Sequence, residues 1–144
     1  MDSTKTQRYC SNEIVNAVLF DKTSVAKEES IKIIDDIILD NNTGIADFDI
    51  CRVFINLLDN SINALKNYTG DDKLLYLSCK QDNDHIFIKC ENKFSETIRK
   101  PEKKPELHGY GMKIVKDITE KYNGELITQI QDTTFSTLAI LKTE

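Results

Sequence analysis

Histidine is scarce in this sequence, and paired cysteine is missing from it. His85 and His108 are the only histidines, and both stand far from any cysteine pair. Cys10, Cys51, Cys79 and Cys90 form no CxxC spacing. A structural zinc site is therefore not expected, and the thiols are expected to be reduced and mostly buried. No apolar run approaches the ~20 residues that span a bilayer. Met1-Asp2-Ser3-Thr4-Lys5 lacks the apolar core of a secretory signal. The expectation is a soluble, cytoplasmic chain. A basic surplus is missing too: 19 basic and 24 acidic residues give a formal net charge of −5, so no nucleic-acid partner is expected. Several nucleotide signatures are absent. There is no GxxxxGK[ST], no GxGxxG after an early strand, and no HRD or DFG motif, which sets aside P-loop, dinucleotide-binding and protein-kinase readings. Without a G-x-S-x-G elbow, a nucleophilic hydrolase has no support either.

What is present is enough for one ordinary domain. The chain has 144 residues, of which 40 % are hydrophobic and none is Trp, a soluble globular composition. There is no internal repeat. The stretch from Ile55 to Leu65 reads as a helix with two faces. Phe54, Ile55, Leu58, Ile62 and Leu65 recur at three- and four-residue spacing and form an apolar stripe. Asn56, Asn60, Asn63 and Asn67 form a continuous row on the opposite side. A merely solvated face would use Lys, Glu and Gln. Asn costs a helix about 0.5–0.7 kcal/mol per residue relative to Ala, because its amide competes with the backbone. Four in a row point to a use other than helix stability. A carboxamide oxygen can ligate a hard cation, and the amide can donate to a phosphate oxygen.

Along the chain, residues up to about Lys27 read as helical, with Ile14, Val15, Val18 and Leu19 as a short stripe that need not belong to a compact core. Ser30 to Leu39 is rich in isoleucine and reads as a strand. Asn41-Asn42-Thr43-Gly44 is a turn, and Asp47 or Asp49 is expected to cap the helix carrying the Asn row, which runs to about Tyr68. Lys73–Lys80 and His85–Glu91 alternate and form a hairpin around Gln81-Asp82-Asn83-Asp84, with Cys79 and Cys90 facing each other across it. Lys93 to Leu107 loses periodicity. It holds both prolines and Arg99, Lys100, Lys103 and Lys104, and reads as a basic loop. His108-Gly109-Tyr110-Gly111 then opens a helix that ends at Asn123-Gly124, with Gly at the C′ position. Strands follow at about Glu125–Ile130 and Thr134–Leu141. Hairpins among helices predict an α+β fold: a two-layer sandwich with a mixed, mostly antiparallel sheet of about five strands and three helices on one face.

The glycine-led helix is a second candidate site. Its unpaired N–H groups and dipole suit an anion, and glycine lets a phosphate come close. Taken with the Asn helix, the pattern resembles a known family. Asn56-Leu57-Leu58-Asp59-Asn60-Ser61-Ile62-Asn63-Ala64 resembles the N-box of the GHKL ATPase superfamily, which includes gyrase-type, mismatch-repair and histidine-kinase ATP domains. His108-Gly109-Tyr110-Gly111-Met112-Lys113-Ile114-Val115 resembles its second glycine box. The resemblance runs from about Ser11 to the C-terminus and is closest to sensor histidine kinases of the peptide-quorum-sensing type. There, a short motif ending in Asn, here Cys90-Glu91-Asn92, replaces the usual DxGxG box.

The resemblance implies the Bergerat fold, ATP and Mg²⁺. It places Asn60 on the metal, Asn56 on the phosphates or the metal's water shell, and Asn63 as a further polar contact. Asn92 takes the adenine-reading position. Gly109 and Gly111 flank the triphosphate together with His108 and Tyr110, and Lys93 to Leu107 becomes the ATP lid. Residues 1–27 become a helical linker from an absent dimerisation region, and 28–144 the ATP-binding catalytic domain. Two departures stand out. Asn92 is followed by Lys93-Phe94-Ser95 rather than by glycines. Asn56 replaces the Glu with which gyrase-like members activate water, and an amide cannot be that base; its loss suits direct transfer to an imidazole. Neither histidine lies on an exposed dimerisation helix, so the acceptor is expected upstream, in a homodimeric parent protein anchored to the membrane, with a response regulator as the next partner. The fragment itself is expected to be monomeric. The rival readings are a catalytically silent partner-binding module and an anti-sigma-type serine kinase.

Overall fold

The computed structural model describes residues 10–95 and 110–143. These form helix α1 (Glu13–Glu28), strand β1 (Lys32–Ile37), helix α2 (Asp47–Lys66), strands β2 (Leu74–Gln81) and β3 (His85–Lys93), helix α3 (Tyr110–Lys121), and strands β4 (Glu125–Gln131) and β5 (Thr134–Lys142). The strands make one sheet in the order β1-β2-β3-β5-β4. β1 runs parallel to β2, and the other three pairings are antiparallel. The result is the expected α+β sandwich, a mixed five-stranded sheet layered with three helices.

The sheet turns Leu75, Leu77, Cys79, Ile86, Ile88, Cys90, Ala139 and Leu141 toward the helices, all buried. Their period of two is the alternation read from the sequence. α2 lies across them with Ile50, Val53, Phe54, Leu57, Leu58, Ile62 and Leu65 buried, a run of i, i+3, i+4 steps. Each such side chain, fully buried, contributes about 1.5–3 kcal/mol. Ile55 is not on this stripe. It sits at its edge, half-buried, and Leu57 takes the central place, because a helix rotates about 100° per residue. α1 packs Val15, Val18, Leu19 and Ala26 into the same core. Asn12 fixes where α1 starts: its Oδ1 accepts from Val15 N–H at 3.0 Å, and its Nδ2 donates to the Asp40 carbonyl at 2.8 Å.

Three local expectations are corrected. Neither Asp47 nor Asp49 caps α2; the N-cap is Ala46, with no side-chain bond, because Asp49 is turned to another use described below. At the end of α3 the left-handed residue is Asn123 (φ 58°), not Gly124. Asn123 N–H bonds Glu120 O at 3.1 Å and Gly124 N–H bonds Thr119 O at 2.7 Å, a Schellman closure. Gly124 is required for space, since a Cβ there would run into the Ile140 carbonyl oxygen. Cys79 and Cys90 share the inner face of the hairpin but are not opposite each other: Cys79 pairs with Ile88, and Cys90 with Leu77. Both are free thiols, and burial pushes each up to about 12, which keeps them protonated and unreactive.

Candidate functional site

α2 is the spine of the site. Its Asn56 meets the first turn of α3. A Cβ placed on Gly111 would lie 2.9 Å from Asn56 Oδ1, so only glycine lets the two helices approach this closely without moving the carboxamide. Asn56 Nδ2 donates back to Arg52 O at 2.7 Å. That bond uses one of the two amide hydrogens, and the second N–H and Oδ1 are left for a ligand. One turn on, Asn60 is half-buried, and its side chain has no hydrogen-bond partner among the described residues. Asn63 and Asn67 are exposed, joined by Asn67 Nδ2 to Asn63 O at 3.4 Å. Gly111 lies in the first turn of α3, whose free N–H groups carry the positive end of the helix dipole. Tyr110 opens that turn, but its side chain lies outside the described residues, as do His108, Gly109 and residues 96–107 of the expected lid.

The other end of α2 leads to Asn92. Ser61 Oγ bonds Cys90 Sγ at 3.4 Å, and Thr69 N–H bonds Ser95 Oγ at 2.8 Å, so α2 and β3 run in the same direction past each other. Asn92, one inward step beyond Cys90, lies on the side of the later Asn residues. It is 2 % exposed. Its Nδ2 donates to Lys93 O at 3.0 Å, which aims Oδ1 inward, and that oxygen has no partner. Among the described residues it is the single buried side-chain polar atom left in this state. Such an atom costs about 1–3 kcal/mol. It is an acceptor waiting for a donor. From Asn56 to Asn63, α2 rises about 10 Å, a separation on the scale of an extended nucleotide.

The sequence profile of the GHKL domain matches residues 45–141, more than half of the chain. The chain belongs to the GHKL domain family. No curated protein matches it. Among solved structures, the histidine kinase AdeS of Acinetobacter baumannii superposes with a TM-score of 0.68 at 17 % identity, over 91 % of this chain and 64 % of that one. The present chain thus spans just under two thirds of AdeS. A nucleotide-free catalytic domain of histidine kinase ThkA gives 0.69 at 16 %, over 91 % and 90 %. A histidine kinase from Burkholderia phymatum STM815 gives 0.69 at 7 %, over 98 % and 72 %. These likenesses establish a shared fold.

Within this GHKL domain the missing glycines after Asn92 have a visible consequence. β3 does not break there but continues through Lys93. Phe94 N–H then bonds Thr133 O at 2.9 Å, and Lys93 Nζ reaches Asp72 at 3.0 Å. Ser95, in the following position, holds the chain that leaves α2. His85 stands at the start of β3 with its side chain 37 % exposed, seven residues or about 23 Å from Asn92, well away from this site.

Two contributions were not legible from the sequence. Ser61 occupies a core position on α2 and pins the helix to Cys90; a lone hydroxyl on an apolar stripe was the available signal. Asp49, its side chain 5 % exposed, accepts from Lys121 Nζ at 2.8 Å and Tyr122 Oη at 2.6 Å. Tyr122 Oη also accepts from Ala46 N–H at 3.2 Å. The start of α2 is thereby clamped to the end of α3. Burial by itself pushes the Asp49 carboxyl up, but the bonds from Lys121 and Tyr122, with the charges of Lys121 and Arg52, outweigh it and hold the group below its ordinary value.

The residues present fit a nucleotide with a hard cation. An orphan acceptor, Asn92 Oδ1, suits a donor on a base. Asn60 offers a neutral carbonyl oxygen of the kind Mg²⁺ takes alongside phosphate oxygens. No cluster of three His, Cys, Asp or Glu capable of holding a metal occurs among the described residues, so a cation here would depend on the nucleotide for most of its ligands. No helix among the described residues is long and apolar enough to cross a membrane.

Proposed function

We propose that this GHKL domain binds ATP with Mg²⁺ and is the catalytic domain of a sensor histidine kinase, nearest the peptide-quorum-sensing type. The observation that carries the reading is the orphaned Asn92 oxygen at one end of an asparagine row whose other end abuts the glycine-opened helix. Asn92 would accept from the adenine amino group. Asn60 would supply an oxygen to the cation, Asn56 would contact the phosphates or the cation's water shell, and Asn63 would add a polar contact. Gly111, with His108, Gly109 and Tyr110 before it, would border the phosphates. The cation supplies charge neutralisation on the triphosphate when bound.

In the proposed transfer, an imidazole nitrogen of a histidine upstream of this domain attacks the γ-phosphorus. The bond from that phosphorus to the β,γ-bridging oxygen breaks, ADP leaves with that oxygen, and the imidazole gives up its N–H proton to solvent. No water need be activated, so an amide at Asn56 is compatible with the reaction. A response regulator would then take the phosphoryl group. The reading places the domain in the cytoplasm, with any membrane anchor and the dimerisation region upstream.

Titration with a fluorescent ATP analogue at fixed Mg²⁺ tests binding. Asn60→Ala should weaken it by about tenfold or more, and unchanged binding removes the metal ligand. Incubation with a histidine-bearing dimerisation fragment of the parent protein and γ-labelled ATP tests transfer. Acid-labile label on the fragment is expected. Binding without label would indicate a silent partner-binding module, and acid-stable label a serine kinase.

A further inference from the structure

We propose that the outer edge of β4 is a self-pairing surface, through which two copies of this chain join β4 to β4 in antiparallel register about a twofold axis at Thr128, making one continuous sheet. The proposal stands apart from the nucleotide reading and from dimerisation by any upstream region.

β4 is an edge strand, bonded to β5 on one side only. Among the described residues nothing pairs with its other side. Edge strands carry a row of unpaired N–H and C=O groups, and proteins that stay monomeric blunt them with lysine, proline, a bulge or inward-pointing charge. The opposite edge of this sheet, β1, has such protection in Lys32, Asp35 and Asp36. β4 has none. Its seven residues, Glu125-Leu126-Ile127-Thr128-Gln129-Ile130-Gln131, pair with β5 in unbroken register without a bulge. They contain no proline, glycine or lysine and a single charge, Glu125. All but Leu126 are exposed, including Ile127 at 40 % and Ile130 at 36 %.

The occupant follows from the strand's own chemistry. Antiparallel pairing with a second copy about Thr128 sets Leu126 opposite Ile130, Ile127 opposite Gln129, Glu125 opposite Gln131, and Thr128 opposite Thr128. On the helix side of the sheet, where Leu126, Thr128 and Ile130 face Ala139, Thr137 and Phe135 of β5, each exposed Ile130 gains an apolar neighbour in the other copy's Leu126. The two threonines can bond to each other. The only charged residue meets a neutral amide, so no like charges are opposed. The neighbouring helix α3 carries both signs on its surface, Lys113 with Asp117 and Lys116 with Glu120, and two copies meeting there do not face a field of one sign. Because β1 is protected, pairing stops at two copies rather than growing into a fibre.

Sedimentation equilibrium of the chain from about 1 µM to about 1 mM tests this. A shift from 16.5 kDa to twice that mass is expected, with slowed amide exchange confined to β4. Thr128→Lys, which sets two like charges opposite each other, should raise the midpoint by about tenfold or more. Glu125→Gln, opposite Gln131, should leave it unchanged. Circular dichroism and thermal unfolding check that both variants remain folded. A single-chain mass throughout the range would overturn the proposal and leave the edge to an unlike strand. So would larger assemblies, a midpoint indifferent to Thr128→Lys, or equal loss with both variants.

Discussion

Replacing Asn92 by valine should make the protein more stable and its nucleotide binding worse. In the free domain Asn92 Oδ1 is buried and unpartnered, which costs about 1–3 kcal/mol, while its Nδ2 bond to Lys93 O returns about 1 kcal/mol. Lys93 is exposed, so its carbonyl loses little by turning to water. Valine removes the orphan and suits a central strand. The net gain is about 1 kcal/mol, or about 3–4 °C in Tm for a chain of this size. With nucleotide the sign reverses. The adenine amino group would lose a buried acceptor, and binding should weaken by about 1.5–3 kcal/mol, roughly 10- to 100-fold in Kd. The same geometry predicts preference for ATP over GTP, because Nδ2 is held by Lys93 O and the inward atom can only accept, whereas guanine offers a carbonyl oxygen in place of the amino group. Thermal unfolding without nucleotide and fluorescence titration with it measure the two effects on one preparation. A variant that melts several degrees lower and binds ATP as before would refute the reasoning, since Oδ1 would then be satisfied within the protein and irrelevant to the ligand.

The Asp49 clamp should make stability acid-sensitive. A carboxyl held below its ordinary value contributes stability that is complete above the unfolded value of about 3.9 and is lost as pH falls through the folded one. Tm should therefore fall more steeply below about pH 4 in the native chain than in Asp49→Asn, and Asp49→Ala should cost about 2 kcal/mol at neutral pH by stranding Tyr122 Oη; parallel pH profiles of the native chain and Asp49→Asn would contradict the assignment. Gly124→Ala forces a Cβ against the Ile140 backbone and should cost about 3 kcal/mol or more, read by denaturant midpoint. Gly111→Ala meets only the end of the Asn56 side chain. It should cost less than about 1 kcal/mol in stability yet weaken ATP-analogue binding severalfold, as the carboxamide is pushed off Gly111.

Much of this was written locally. The two hairpins, the asparagine row on one face of a helix and the stops at turn residues all follow from periods of 2 and 3.6 and from turn chemistry, which depend only on near neighbours. The sequence by itself also placed Gly111 at a helix start and ended a strand at Glu91, while the structure carries that strand on through Asn92 to Lys93. Only the tertiary structure brought Gly111 against Asn56, because the crossing of α2 and α3 is set by side-chain packing and by the distant Asp49 clamp. It also offset Cys79 from Cys90, a matter of hairpin register, and covered the stripe of α1. The orphaned state of Asn92 Oδ1 belongs to the same class: whether a polar atom has a partner is decided by everything that folds around it, and no spacing along the chain encodes that.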